Sequence, residues 1–148
     1  MKFTADIAII GTYGLPVKHG GFETFAEHIS EYFASHEKKV LVIGDSSSRT
    51  DITYKPLVAN KSVRVSKRRN PILFYLVSLI VAYKQGTRIV IMTGVGGALF
   101  IPLFKLMGMK ILIMTMQLLM RLMTLNLTYR TNHQYRQIYQ TKILKKKK

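Results

Sequence analysis

The chain of 148 residues contains no cysteine, no tryptophan, and no acidic side chain after Asp51. Without cysteine there are no disulfides, no thiolate metal ligands and no cysteine nucleophile, a composition that fits a reducing compartment. The seven carboxylates are Asp6, Glu23, Glu27, Glu31, Glu37, Asp45 and Asp51, set against 23 Lys and Arg, for a formal net charge of +16. A field of that sign attracts nucleic acid, anionic lipid headgroups or phosphorylated substrates. Long apolar runs are also missing. The stretch 71–83 has 13 residues, and 89–104 has 16 with three glycines and a proline. A spanning helix needs about 20, so both are expected as buried elements. The start, "MKFTADIAII", offers no secretory leader. No Ser/His/Asp constellation has supporting context, and no His, Asp or Glu set has metal-ligand spacing.

What is present is enough for one core. Apolar residues make up 48% of the chain, well above a disordered composition. "ADIAII" (5–10), "KVLVIG" (39–44), "RIVIM" (88–92) and "MKILIM" (109–114) are short, β-rich and almost wholly apolar. Strands covered on both faces read this way. "SVRVS" (62–66) alternates as an exposed or edge strand does. Between the strands, Phe22, Phe25, Ala26, Ile29, Tyr32 and Phe33 recur at helical spacing. Pro71 opens a second helix to Lys84, and "TGVGGALFIPLFKLMG" turns into a third that closes at Gly108. Strands alternating with helices predict an α/β, Rossmann-like, doubly wound and mostly parallel sheet. The loops Gly11–Gly21 and Thr93–Gly97 then share the sheet edge at which such folds bind ligands.

The first of these loops is the main candidate site. A strand, a turn containing Gly11, Gly14, Gly20 and Gly21, and a helix amino terminus present free N–H groups and the positive end of a dipole. Phosphate or carboxylate is the matching ligand. Thr12 and Tyr13 add hydroxyls, and Lys18 and His19 add charge. The spacing is neither G-x-G-x-x-G nor G-x-x-x-x-G-K-[ST], and Asp45 after the second strand does not replace missing glycines. A tight turn that merely packs helix on strand is the bland alternative.

The spelling of the loop is more specific than its glycines. "GTYGLPVKHGGFETFAEHI" resembles the amino-terminal signature of the bacterial rhamnosyltransferase branch of glycosyltransferase family four, enzymes of the GT-B type. That branch reads G-T-x-G-x-P and then G-G-F-E-T-F. Gly11, Thr12, Gly14, Pro16, Gly20, Gly21, Phe22, Glu23, Thr24 and Phe25 stand at matching positions. "GVGGALFIPLFKLMGMKILI" is similar to a second block of the same family, so the resemblance covers about Ala5 to Ile113. It implies the acceptor-side half of a two-domain, retaining sugar transferase. Thr12, Gly14, Gly20, Gly21, Phe22, Glu23 and Thr24 would bind substrate, with Thr93, Gly94 and Gly96 as a second cleft loop. The donor would be a nucleotide-sugar, the acceptor a lipid-linked saccharide. No cofactor or metal is expected, and the chain has no Asp-x-Asp. The setting implied is cytoplasmic, peripheral on the inner face of the plasma membrane. Lys67, Arg68 and Arg69 directly precede an apolar helix, a pattern suited to an anionic lipid surface. A buried helix with a solvated basic cap is the other reading of that stretch.

After Ile113 the likeness stops. Family members continue with a His or Asp, a Gly and a Trp-containing segment, whereas this chain reads "MTMQLLMRL". Residues 114–148 are rich in Met, Leu, Thr, Asn, Gln, Tyr and Lys, lack Gly, Pro and acids, and end in four lysines. The expectation is two regions, a domain over 1–113 and a basic, unpatterned tail over 114–148, as a frameshifted or truncated gene would encode. Leu118, Leu119, Leu122 and Leu125 could form one stripe, and nothing later keeps a period. A basic binding protein acting through that tail on nucleic acid or membranes is the competing function, with nucleic acid the weaker partner for want of stacking aromatics or a known module. A nucleotide-binding oxidoreductase falls on the absent G-x-G-x-x-G.

Overall fold

The computed structural model describes residues 4–16, 20–47 and 52–115, together with 117, 118 and 121. The chain divides into two compact units, Met1–Met114 and Thr115–Lys148. The first carries the fold set out below. Lys18 and His19 in the first loop, and Leu119, Leu122, Leu125 and His133 in the tail, lie outside the described residues.

Six strands form one sheet: β1 (Ile7–Ile10), β2 (Val40–Gly44), β3 (Ile52–Lys55), β4 (Val58–Ser62), β5 (Ile89–Thr93) and β6 (Lys110–Met114). Helices α1 (Gly21–Ser35), α2 (Pro71–Lys84) and α3 (Ile101–Leu106) alternate with them, a 3-10 turn at Ala98–Phe100 leading into α3. The strand order is β3-β4-β2-β1-β5-β6. Neighbours from β4 through to β6 are parallel, and β3 is antiparallel on β4. The predicted Rossmann-like, doubly wound α/β sheet is therefore the fold.

The pleat explains the layering. Ile7 and Ile9 point to one face, where Val40, Val42 and Ile91 join them under Phe25, Ala26, Ile29 and Phe33 of α1. Ala8 and Ile10 point to the other, where Leu41, Ile43, Val90 and Met92 meet Phe74, Leu79 and Ala82 of α2 and Phe104 of α3. β1 and β2 are buried at every residue, which is why their sequences run apolar without alternation. Helix boundaries follow local chemistry. Asn70 caps α2 by accepting from the Leu73 N–H at 3.1 Å, with Pro71 at the first turn. Gly86 and Gly108, at φ 79° and 80°, take the left-handed conformation just past α2 and α3.

One expected element moves. The alternating "SVRVS" is not the edge strand; only its Ser62 belongs to β4, and Val63 onward leads away toward α2. The edge on that side is β3, folded back on β4, so β2 reaches its parallel neighbour β4 through an antiparallel strand rather than a helix. Alternation in 62–66 reflects a segment with Val63 buried and Arg64 exposed, a pattern loops share with strands.

Phe74 is fully buried between α2 and the sheet. Its replacement, Phe74→Ala, is expected to cost about 3–5 kcal/mol, read as a lower midpoint in urea denaturation.

Candidate functional site

The site lies where the winding reverses. From β1 the chain runs to β2 on one side, and β5 and β6 extend the sheet on the other. Ligands of open α/β sheets bind beyond the strand carboxyl ends at this point. Here the two ends are Ile10 and Thr93, and the loops leaving them touch.

Three groups make the junction. The Thr93 hydroxyl donates to the Ile10 carbonyl at 3.1 Å, and the Tyr75 hydroxyl of α2 donates to the Thr93 carbonyl at 2.6 Å. Gly11 passes above them at φ 95°. A Cβ at Gly11 would lie 2.6 Å from Thr93 Oγ1 and 2.9 Å from the Tyr75 oxygen, besides striking the Thr93 carbonyl, so only glycine fits. The second loop folds down on the same tyrosine. A Cβ at Gly96 would come within 2.5 Å of the Tyr75 ring, and one at Gly97 within 2.5 Å of Met92 Sδ. The Gly94 N–H donates to Met114 of β6 at 2.8 Å. Close packing on Tyr75 thus accounts for the glycines of "TGVGG". Burial pushes the Tyr75 phenol above its ordinary pKa, with Tyr13 adding to the shift.

The first loop is tied down along its length. Thr12 is fully buried, and its hydroxyl accepts from the Gly14 N–H at 3.3 Å. The Leu15 N–H donates to the buried Asn60 side chain of β4 at 3.0 Å. Glu23, only 6% exposed, folds back from the first turn of α1. It accepts the Tyr13 N–H at 3.2 Å and rests against Gly20, where a Cβ would collide with its Oε2. A carboxylate of the chain itself therefore occupies part of the helix amino terminus, the position that the dipole makes favourable for an anion. Thr24 donates its hydroxyl to the Gly20 carbonyl at 3.1 Å.

Lys67 parts company with its neighbours. Arg68 and Arg69 remain exposed, whereas Lys67 turns inward, donates to the Gly11 carbonyl and lies 5.0 Å from the centroid of the Tyr13 ring. Burial holds its ammonium below the ordinary lysine pKa, while Glu23 and Asp45 pull in the opposite direction. Asp45 is buried after β2, where it accepts from Ser47 and from the Lys67 N–H at 3.2 Å. One cation and two carboxylates consequently meet behind the loop, a formal excess of one negative charge.

Of the expected residues, the structure gathers Thr12, Gly14, Gly20, Glu23, Thr93 and Gly94 around one junction. Thr12, Glu23 and Thr93 are buried inside it. What faces outward is Tyr13 at 44% exposure, Gly20, Gly21 and Gly96, with Phe22 and Thr24 half-buried. This rim can offer a ligand the first-turn N–H groups of α1, which have no partner inside the helix, and the hydroxyls of Tyr13 and Thr24. Among the described residues no group of three or more His, Asp or Glu is placed to hold a metal. Tyr75, Asn60 and the inward turn of Lys67 are the participants the sequence reading missed. Only Tyr75 carried a signal, a polar atom within the apolar "ILFYLV" that needs a partner once buried; Asn60 lies in a strand the sequence reading did not identify. Comparison with protein-family models, with curated proteins and with solved structures finds no match.

Two outcomes follow from the junction. Gly11→Ala should cost more than about 2 kcal/mol, from the positive φ and the collision with Thr93, measured by urea denaturation. Tyr75→Phe should cost about 1–2 kcal/mol at neutral pH through the orphaned Thr93 carbonyl. Because the folded phenol holds its proton more tightly than the unfolded one, Tyr75 contributes stability that is present below about pH 10 and lost as pH rises through the folded pKa. Urea midpoints from pH 9 to pH 11 should therefore fall more steeply for the parent than for Tyr75→Phe.

Proposed function

We propose that the unit Met1–Met114 is the acceptor-side half of a retaining GT-B glycosyltransferase of the bacterial rhamnosyltransferase type. In this reading the family activity moves a rhamnose-like sugar from a nucleotide-sugar to a lipid-linked saccharide. One observation carries the proposal: the segment spelled "GTYGLP" and "GGFETF" lies at the topological switch point, against the glycine loop that follows β5. The rim of Tyr13, Gly20, Gly21 and Thr24 meets the donor's sugar-phosphate. Glu23, Lys67, Asn60 and Thr12 do not touch it; they fix the loop that does. With one more carboxylate than cation behind the loop, this half orients the sugar and acceptor while a second, nucleotide-binding half carries most of the diphosphate charge. A lipid-linked acceptor places the reaction at the cytoplasmic face of the plasma membrane.

Gly21 is exposed at the first position of α1, so Gly21→Val leaves the core untouched while adding bulk where the ligand approaches. Saturation-transfer NMR of the parent with dTDP-rhamnose and UDP-glucose should show transfer to the sugar protons, and Gly21→Val should weaken binding by about tenfold, the scale of one charge-assisted hydrogen bond. No transfer to any nucleotide-sugar, or equal affinity in a folded Gly21→Val protein, overturns the reading.

A further inference from the structure

The two edges of the sheet are finished differently. An edge strand offers unpaired N–H and C=O groups to any extended chain, and folds ordinarily guard against this with charged residues, proline or bulges. The β3 edge carries all of these: a register shift between Thr53 and Lys55, the exposed Lys55 itself, and Pro56 directly after it. The β6 edge does not. Past Lys110 it reads Ile, Leu, Ile, Met over 111–114, in register with β5 and without a bulge.

The Lys110 N–H donates to the Arg88 carbonyl at 2.7 Å, and the Met114 carbonyl accepts from the Gly94 N–H at 2.8 Å. Both bonds run to the β5 side, so the alternation of the ladder turns the main-chain groups of Ile111 and Ile113 outward. Among the described residues no strand lies beyond them. Side chains sort by face. Ile111 and Ile113 pack against the core shared with α2 and α3. Lys110 and Leu112 take the other face, in register with Ile89 and Ile91. Leu112 is 53% exposed and Ile89 43%, so an apolar strip runs from the edge onto β5, with the exposed Lys110 at its end. Lys105, exposed on α3, which packs on β6, adds a second cation. The exposed acids at this end of the sheet, Asp6 before β1 and Glu37 before β2, belong to strands two and three places away. Asp6 is engaged there, accepting from the Lys39 N–H at 2.8 Å.

From an unguarded edge that presents leucine and lysine on one face, we infer that β6 takes up an extended, acidic peptide segment of a partner protein as a further strand. In an antiparallel ladder Ile111 and Ile113 exchange main-chain bonds with the incoming segment. Lys110 and Leu112 then stand at the pairs without such bonds, where Cα atoms are about 4.5 Å apart and side chains meet most closely. The segment therefore reads apolar-x-acid, with the apolar residue beside Leu112 and the carboxylate beside Lys110. Main-chain bonds supply the affinity and the two side-chain pairs the selection. A second copy of this chain is the poorer match. Antiparallel pairing of β6 with itself about Leu112 sets Lys110 against Met114, and it brings together two chains of net charge +16. The β6 edge is separate from the rim of the first loop, and its occupancy does not depend on the sugar-transfer reading.

The test uses the full chain and a fluorescein-labelled hexapeptide, Thr-Val-Leu-Val-Glu-Thr, whose leucine and glutamate fall beside Leu112 and Lys110. Binding is followed by fluorescence anisotropy at about 0.15 M salt, where exposed charges beyond about 8 Å are screened. The parent should bind this peptide saturably, and should bind the version with lysine in place of glutamate about fivefold or more weakly. Lys110→Glu, at an exposed position, should reverse that preference with an unchanged circular dichroism spectrum. Methylating the amide nitrogens of both valines, which donate to Ile111 and Ile113, should abolish binding. Absence of saturable binding, equal affinity for the methylated peptide, or a Lys110→Glu protein that keeps the parent's preference overturns the inference. A parent dimer in sedimentation velocity that excludes the peptide gives the edge to a second copy and overturns it equally.

Discussion

The carbonyl of Thr93 is the point on which this fold turns. It accepts the Tyr75 hydroxyl, and Gly11 passes so close that a Cβ there would strike it, at the place where adjacent parallel strands send their chains in opposite directions. Parallel strands that part company leave a crevice, and the residues at its floor must satisfy their own polar groups without filling it. Thr93 manages this by bonding Ile10 with its side chain while Tyr75 covers its carbonyl. Glycine is then compulsory at position 11, and small residues are compulsory where the second loop lies on the Tyr75 ring.

Rigidity of the first loop comes from a chain of buried polar groups rather than from apolar packing. Thr12 closes the first turn, Asn60 reaches it from β4, Glu23 returns from α1, and Lys67 arrives from the segment before α2. Each is bonded to loop backbone, the part of a loop that loses its water on burial and must find protein partners. Glu23 adds an electrostatic consequence. Its carboxylate shares the helix amino terminus, so a ligand at the rim meets directed N–H and O–H groups beside a carboxylate rather than an open anion hole.

Much of this was legible in the sequence. Continuous apolar runs identified β1, β2, β5 and β6, and Pro71 marked the first position of α2, because burial on both faces and first-turn chemistry are local matters. The β3–β4 arrangement was not legible. "ITYK" is short, and the alternation that drew attention lies after β4 rather than in it. Grouping Lys67 with Arg68 and Arg69 failed for a related reason. Adjacent residues in a turn leave in different directions, and no composition rule says which of three cations will turn inward.

By itself the sequence determined the layer order, a doubly wound sheet with glycine loops at one edge, and a charge that rises without relief after Asp51. Those properties depend on residue type and spacing along the chain. Only the tertiary structure decided which polar groups face a ligand and which are consumed in holding the loops, and that the outer side of α3 is apolar as well as the inner. Both depend on what the fold brings near a residue from far along the chain: Tyr75 against Thr93, Lys67 against Gly11, Asn60 against Leu15.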